Sequence, residues 1–250
     1  MSKWEKVITW FLTVAVTLFA LFVLYHMIWW QPKPDHDSWV EKKLFVQNMS
    51  ALPYNGIDLS QEQGYVDWQS VSMDRLIDFV YLKATEGSTH VDSRYMANVT
   101  AAYNYGFLIG SYHCFTSDSS VEQQFFNFNK HVEHSAQRLL PMVELNEASI
   151  QGWTTQQVQD SLALFAWLVN DFYGSLPIIK TTKDFYETRL IPRFEDYPLF
   201  IVDESESQPT VKAEHFYIWR RITQGSIPGI VYDVSLDSFT FGTTLRDLFL

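Results

Sequence analysis

Asp58, Lys83 with Glu86, Tyr112 with His113, Glu144 with Asn146, Lys180, Asp203 and Asp233 each stand at or just past the end of a short apolar run. Carboxylates recur in this set. Carboxylates that converge on one place hold sugar hydroxyls or move protons. An aromatic face such as that of Trp219 packs against a sugar ring. The pattern therefore fits a sugar-binding or hydrolytic cleft. The seven histidines are scattered without ligand-type spacing, so neither a metal site nor a cofactor is expected. Cys114 is the one cysteine, which excludes an intrachain disulfide, and it reads as a small buried hydrophobe. Plainer alternatives stand beside these readings. Asp58 and Asp233 could cap turns, Glu86 could brace its loop against Lys83, and Trp219 could belong to the core. His113, in an apolar run, reads as a satisfied core residue.

What must position these residues is a series of short strands alternating with amphipathic helices. Strands are expected at 56–59, 79–83, 108–113, 141–145, 177–181, 198–202, 216–220 and 230–234. Helices are expected at 91–105, ending at Gly106, and at 119–135, with Phe125, Phe126, Phe128 and Val132 as its apolar stripe. Two more are expected at 155–173, between a Thr154 or Thr155 cap and Gly174, and at 183–190. Such alternation implies parallel strands joined by crossover helices. The last three strands lack long helices between them, which points to an eight-stranded barrel with an irregular final part. In such barrels functional residues sit at the C-terminal ends of strands, where the polar residues above fall.

The chain has 250 residues, 47% hydrophobic and 16% aromatic, enough for one sizeable core plus an appendage. A net charge of -11 argues against nucleic acid as a partner, because phosphate binding needs clustered Lys and Arg. Residues 7–25 (VITWFLTVAVTLFALFVLY) carry no charge and are long enough to cross a bilayer, with Trp4, Trp10, Trp29 and Trp30 toward the two interfaces. No small-x-small cleavage site follows, so an uncleaved signal anchor is expected rather than a signal peptide. Lys3 and Lys6 before the span favour a single-pass protein of the cytoplasmic membrane with its body on the extracytoplasmic, periplasmic side. Residues 1–30 are then the anchor and 31–54 a linker that begins with the stiff, polar QPKPDHD. Residues 55–250 are the barrel domain.

Three segments make the pattern specific. GIDLSQEQGYVDWQSV (residues 56–71), DFVYLKATEG (78–87) and GFLIGSYHCF (106–115) resemble the first three strands and loops of family 25 glycoside hydrolases, the lysozymes or N-acetylmuramidases. The resemblance runs from about Asn55 to the end. It implies an irregular, flattened TIM-like (β/α) barrel, which the apolar run 7–25 would precede as one transmembrane helix. It also implies peptidoglycan as the ligand, with Asp58 and Glu144 as catalytic candidates. Glu86, Tyr112, Asn146, Lys180, Trp219 and Asp233 would contact the substrate.

The match departs where the chemistry should be. The family's fourth strand ends Asp-x-Glu, the Glu being the general acid. Here Glu144, Leu145 and Asn146 align with it, so the acid position holds an amide. The family's last strand reads Asp-Val-Asp, and here Asp233, Val234 and Ser235 lose the second carboxylate. Lys180 stands where a cleft Tyr is usual. Three readings follow. A pseudoenzyme would recognise glycan strands as an envelope anchor or locator. A working muramidase would use Glu144 as acid. A structural protein would bind only envelope proteins. Loss at both Asn146 and Ser235 favours the first.

Overall fold

The structure, a computed structural model, describes residues 3, 4, 10, 14, 16–22, 54–205 and 207–250. The chain divides into two units, Met1–Pro34 and Asp35–Leu250. Every described residue of the first is helical. Among the described residues no helix is long and apolar enough to cross a membrane. Much of the expected span 7–25 and the linker up to residue 53 lie outside the described residues, as does Glu206.

In the second unit, nine strands form one sheet. They are β1 (Gly56–Leu59), β2 (Phe79–Glu86), β3 (His90–Val91), β4 (Leu108–Cys114), β5 (Met142–Glu144), β6 (Ile178–Thr182), β7 (Leu199–Val202), β8 (Phe216–Gly225) and β9 (Val234–Phe239). Their order is β1-β9-β8-β7-β6-β5-β4-β2-β3, and β1 also pairs with β2. That pairing closes eight strands into a barrel and leaves β3 as a two-residue antiparallel edge on β2. Neighbours from β1 through β2 and β4 to β8 are parallel, whereas β9 runs antiparallel to both β1 and β8.

Helices α1 (Trp68–Val71), α2 (Tyr95–Asn104), α3 (Val121–His131), α4 (Thr155–Tyr173) and α5 (Lys183–Phe185) make the crossovers, with a π-helical turn at Tyr186–Leu190 extending the last. Local chemistry sets their ends. Thr154 and Gln157 form a reciprocal capping box at the start of α4, and Gly174 ends it in the left-handed conformation at φ 76°. On α3 the expected stripe is corrected. Phe125, Phe128 and Val132 face inward at helical spacing, and Phe126, about 100° further round, is exposed.

Strand alternation separates two apolar layers. Ile57, Leu82, Ile109, Val143 and Ile179 point outward under the helices. Phe79, Tyr81, Leu108, Met142, Ile178 and Phe200 fill the barrel, and Leu245 and Leu248 from the C-terminal segment join them. Packing inside is tight. A Cβ on Gly110 would stand 2.1 Å from the Tyr81 ring, so this strand crosses that ring only as glycine. The last expected strand is also corrected. Residues 230–233 form a loop with one isolated bridge, Val66 to Ile230, and the strand that closes the barrel is Val234–Phe239. Its first two inward positions, Ser235 and Asp237, are polar and meet polar groups on β1 and β8, and only the third, Phe239, packs on Phe79 in the apolar interior.

Candidate functional site

The barrel interior changes from apolar to ionic along the strands. Two cross-strand pairs stand in register, Glu144 of β5 beside Lys180 of β6 and Arg220 of β8 beside Asp237 of β9. Lys180 Nζ donates to Glu144 Oε2 at 2.9 Å and also to Asp58 Oδ2 from β1. Arg220 Nη2 donates to the same Asp58 oxygen, and its Nε donates to Asp237 Oδ1 at 3.1 Å. Asp58 thus joins two in-register ion pairs into one five-residue cluster. The Tyr112 and Phe200 rings flank the ammonium, with centroids 4.7 and 5.4 Å from Nζ.

Burial differs sharply within the cluster. Lys180 is 2% exposed, Asp58 6% and Asp237 0%, while the Glu144 side chain is 25% exposed and marks the open side. Burying a charge without a partner is costly, so the pairing is what makes these positions tenable. Burial alone would raise the Asp58 carboxyl, but Arg220 and Lys180 outweigh it and hold the group below the usual carboxylate range. Burial and Arg220 pull Lys180 down, and Asp58 with Glu144 more than offset them.

Asp237 goes the other way. Burial lifts its carboxyl to about 7 against the pull of Arg220. Its Oδ2 is buried and has no hydrogen-bond partner among the described residues. Arg220 meanwhile is held firmly charged by Asp58 and Asp237 against its own burial. The two partners pull in opposite senses, and counting charges reconciles them. Three carboxylates face two cations, so one proton leaves the cluster neutral, and the half-paired Asp237 is the group that favours it.

Asn146 does not join the cluster. β5 ends at Glu144, so strand alternation stops before Asn146. Its Oδ1 accepts from the backbone N–H groups of Ala148 at 2.9 Å and Ser149 at 3.1 Å, capping the turn that follows. Glu147, exposed, has Oε1 3.2 Å from Nε of Arg189. Ser235 is the register partner of Asp58 on β9.

The remaining expected residues fall into two groups. Tyr112 lines the barrel interior beside Lys180, and burial, with Asp58 next, raises its hydroxyl well above the usual value. Glu86 is 44% exposed and pairs with Lys83 at 2.6 Å, bracing the loop. Asp233 is exposed, and its backbone carbonyl accepts from Gln63 Nε2 at 2.9 Å. Trp219 alternates with the inward Ile218 and Arg220, and its indole N–H donates to the Asp203 carbonyl. The structure therefore brings Asp58, Glu144, Lys180 and Tyr112 together and leaves Glu86, Asn146, Trp219 and Asp233 outside the cluster. His113 is a satisfied core residue. Nδ1 meets Thr85 Oγ1 at 2.8 Å, Nε2 meets Gln124 Oε1 at 3.2 Å, and the ring stacks on Phe165. Burial pushes its imidazole down to about 4. Cys114 is likewise inert, its thiol pushed up to about 12 by burial and then by Glu144.

Arg220 and Asp237 escaped the sequence reading. Arg220 closes the expected strand 216–220 at the same parity as Ile218, a signal that an inward charge follows an apolar wall. Asp237 lay beyond the strand as expected.

Residues 57–230 match the family model described as "Glycosyl hydrolases family 25". The chain is 25% identical over 211 residues to the protein YegX of Escherichia coli strain K12, covering 83% of this chain and 76% of that one. It is 30% identical over 190 residues to the autolytic lysozyme of Clostridium acetobutylicum, covering 75% and 56%. The bacterial lysozyme structure from Streptomyces coelicolor superposes with a TM-score of 0.68 at 26% identity, covering 79% of this chain and 96% of that one.

Proposed function

The chain belongs to glycosyl hydrolase family 25, and from that premise we propose that it recognises peptidoglycan glycan strands without hydrolysing them. One observation carries this reading. The residue that the resemblance aligns with the family's acid, Asn146, is an amide whose oxygen is spent on the amides of Ala148 and Ser149. A glycosidase acid must deliver a proton to the leaving oxygen, and a carboxamide has none to give. Such an acid contributes about 10²–10⁴-fold, so its loss leaves at most residual turnover.

Glu144 does not replace it. Its Oε2 already accepts a hydrogen bond from Lys180, at 2.9 Å, and so is engaged within the cluster. What remains is a barrel mouth with Glu144 on its open side and Tyr112 below, suited to contacts with sugar hydroxyls. Sequestered at the membrane by residues 1–30, such a domain would serve as an envelope anchor or locator on the periplasmic side, with residues 31–54 as its tether. The rim remains open to envelope proteins.

Co-sedimentation of the full chain with purified sacculi tests the reading. Binding that weakens in Glu144→Ala, with no muropeptide released, supports it. Absence of binding by the folded wild type refutes it.

A further inference from the structure

We propose that Lys180 is a second block on hydrolysis, independent of Asn146, because its ammonium occupies the place between Asp58 and Glu144 where a glycosidic transition state would bring positive charge. The inference rests on the non-hydrolytic reading above and adds a cause to it. The transition state of glycoside hydrolysis is oxocarbenium-like, and carboxylates of the cleft are its electrostatic partners. In this chain Asp58 and Glu144 both already have a cation. One ammonium donates to Asp58 and to Glu144, and Arg220 donates to the same oxygen of Asp58.

The placement is built and not incidental. Lys180 lies in register with Glu144 on the neighbouring strand, so its side chain leaves the sheet on the same side as the carboxylate. At 2% exposure it cannot swing into solvent as a surface lysine would. Two aromatic rings flank it, and cation–π attraction adds to the carboxylates in holding it there. A resident unit charge roughly 5 Å from a developing positive charge, at an effective dielectric constant of about 20, slows the step by on the order of 10²-fold. Restoring the acid alone therefore leaves the cleft electrostatically wrong.

Two full-chain variants test this by muropeptide release from purified sacculi. The first is Asn146→Glu with Ser235→Asp, and the second adds Lys180→Met. The second is expected to exceed the first by about 10²-fold. Equal, measurable rates overturn the proposal. Where neither turns over, calorimetry with a 2-acetamido iminosugar, cationic at its ring nitrogen at pH 7, gives the decision. Lys180→Met is expected to bind it about 10²-fold more tightly than the wild type, an effect that a merely structural lysine would not produce. Equal affinities overturn the proposal, and so does tight binding to the wild type, a measurement that needs no variant to fold. Hydrolysis by the wild type would instead refute the non-hydrolytic reading itself.

Discussion

Lys180 Nζ lies 2.9 Å from Glu144 Oε2, on neighbouring parallel strands whose Cα atoms are paired in register. The same ammonium reaches Asp58, 122 residues earlier in the chain. One side chain therefore pairs with both Asp58 and Glu144, and several expected outcomes follow from the cluster it organises.

Breaking the Arg220–Asp237 pair from one side should cost more than removing it whole. Arg220→Met leaves Asp237, 0% exposed, without its ion-pair partner. Loss of one partner from a buried pair costs roughly 3–5 kcal/mol. Adding Asp237→Asn should return a measurable part of that loss in urea unfolding. A fully additive double-mutant cycle would show that the two residues do not interact.

Stability should depend on pH through two opposed groups. The Asp237 carboxyl is raised to about 7, so the folded state holds a proton that the unfolded state has released above the usual carboxylate value near 4. Its contribution is full at low pH and declines as pH rises toward 7. His113 is lowered to about 4, so the unfolded state binds the extra proton below about 6.5, and stability declines as pH falls toward 4. Removing the first with Asp237→Asn should leave the His113 slope exposed, approaching about 1.4 kcal/mol per pH unit between pH 4.5 and 6. Unfolding midpoints across that range measure it. An unchanged profile in the variant would contradict the assignment of the proton to Asp237.

Gly110→Ala should destabilise the barrel by roughly 1–3 kcal/mol or more, because the new methyl would overlap the Tyr81 ring in a packed interior. Thermal unfolding checks this. A neutral effect would mean that the interior is looser than the structure describes.

Much of the barrel was legible in the sequence because apolar strands announce themselves. β1 runs over Gly56–Leu59, as its residues indicate, and α4 over Thr155–Tyr173, between a Thr cap and a Gly stop. β9 was misplaced for a physical reason. Two of its inward residues, Ser235 and Asp237, face β1 and Arg220, and only Phe239 reaches the apolar interior, so most of the inner half of the usual pattern is missing. Asn146 was expected on the cleft face by alternation from Glu144, but alternation holds only while the strand lasts, and β5 stops one residue after Val143. The ion cluster itself was only half visible. Asp58, Glu144 and Lys180 could be singled out as strand-end residues, whereas the reach of Lys180 to Asp58 and the link through Arg220 to Asp237 depend on barrel closure, which no local pattern encodes.

The most direct measurement is muropeptide release from purified sacculi by the folded wild-type chain, run beside Glu144→Gln. The expected result is no release above background from either protein, because Asn146 has no proton to deliver and Glu144 is bound to Lys180. Clear release by the wild type that disappears in Glu144→Gln would contradict the non-hydrolytic reading and make Glu144 the acid.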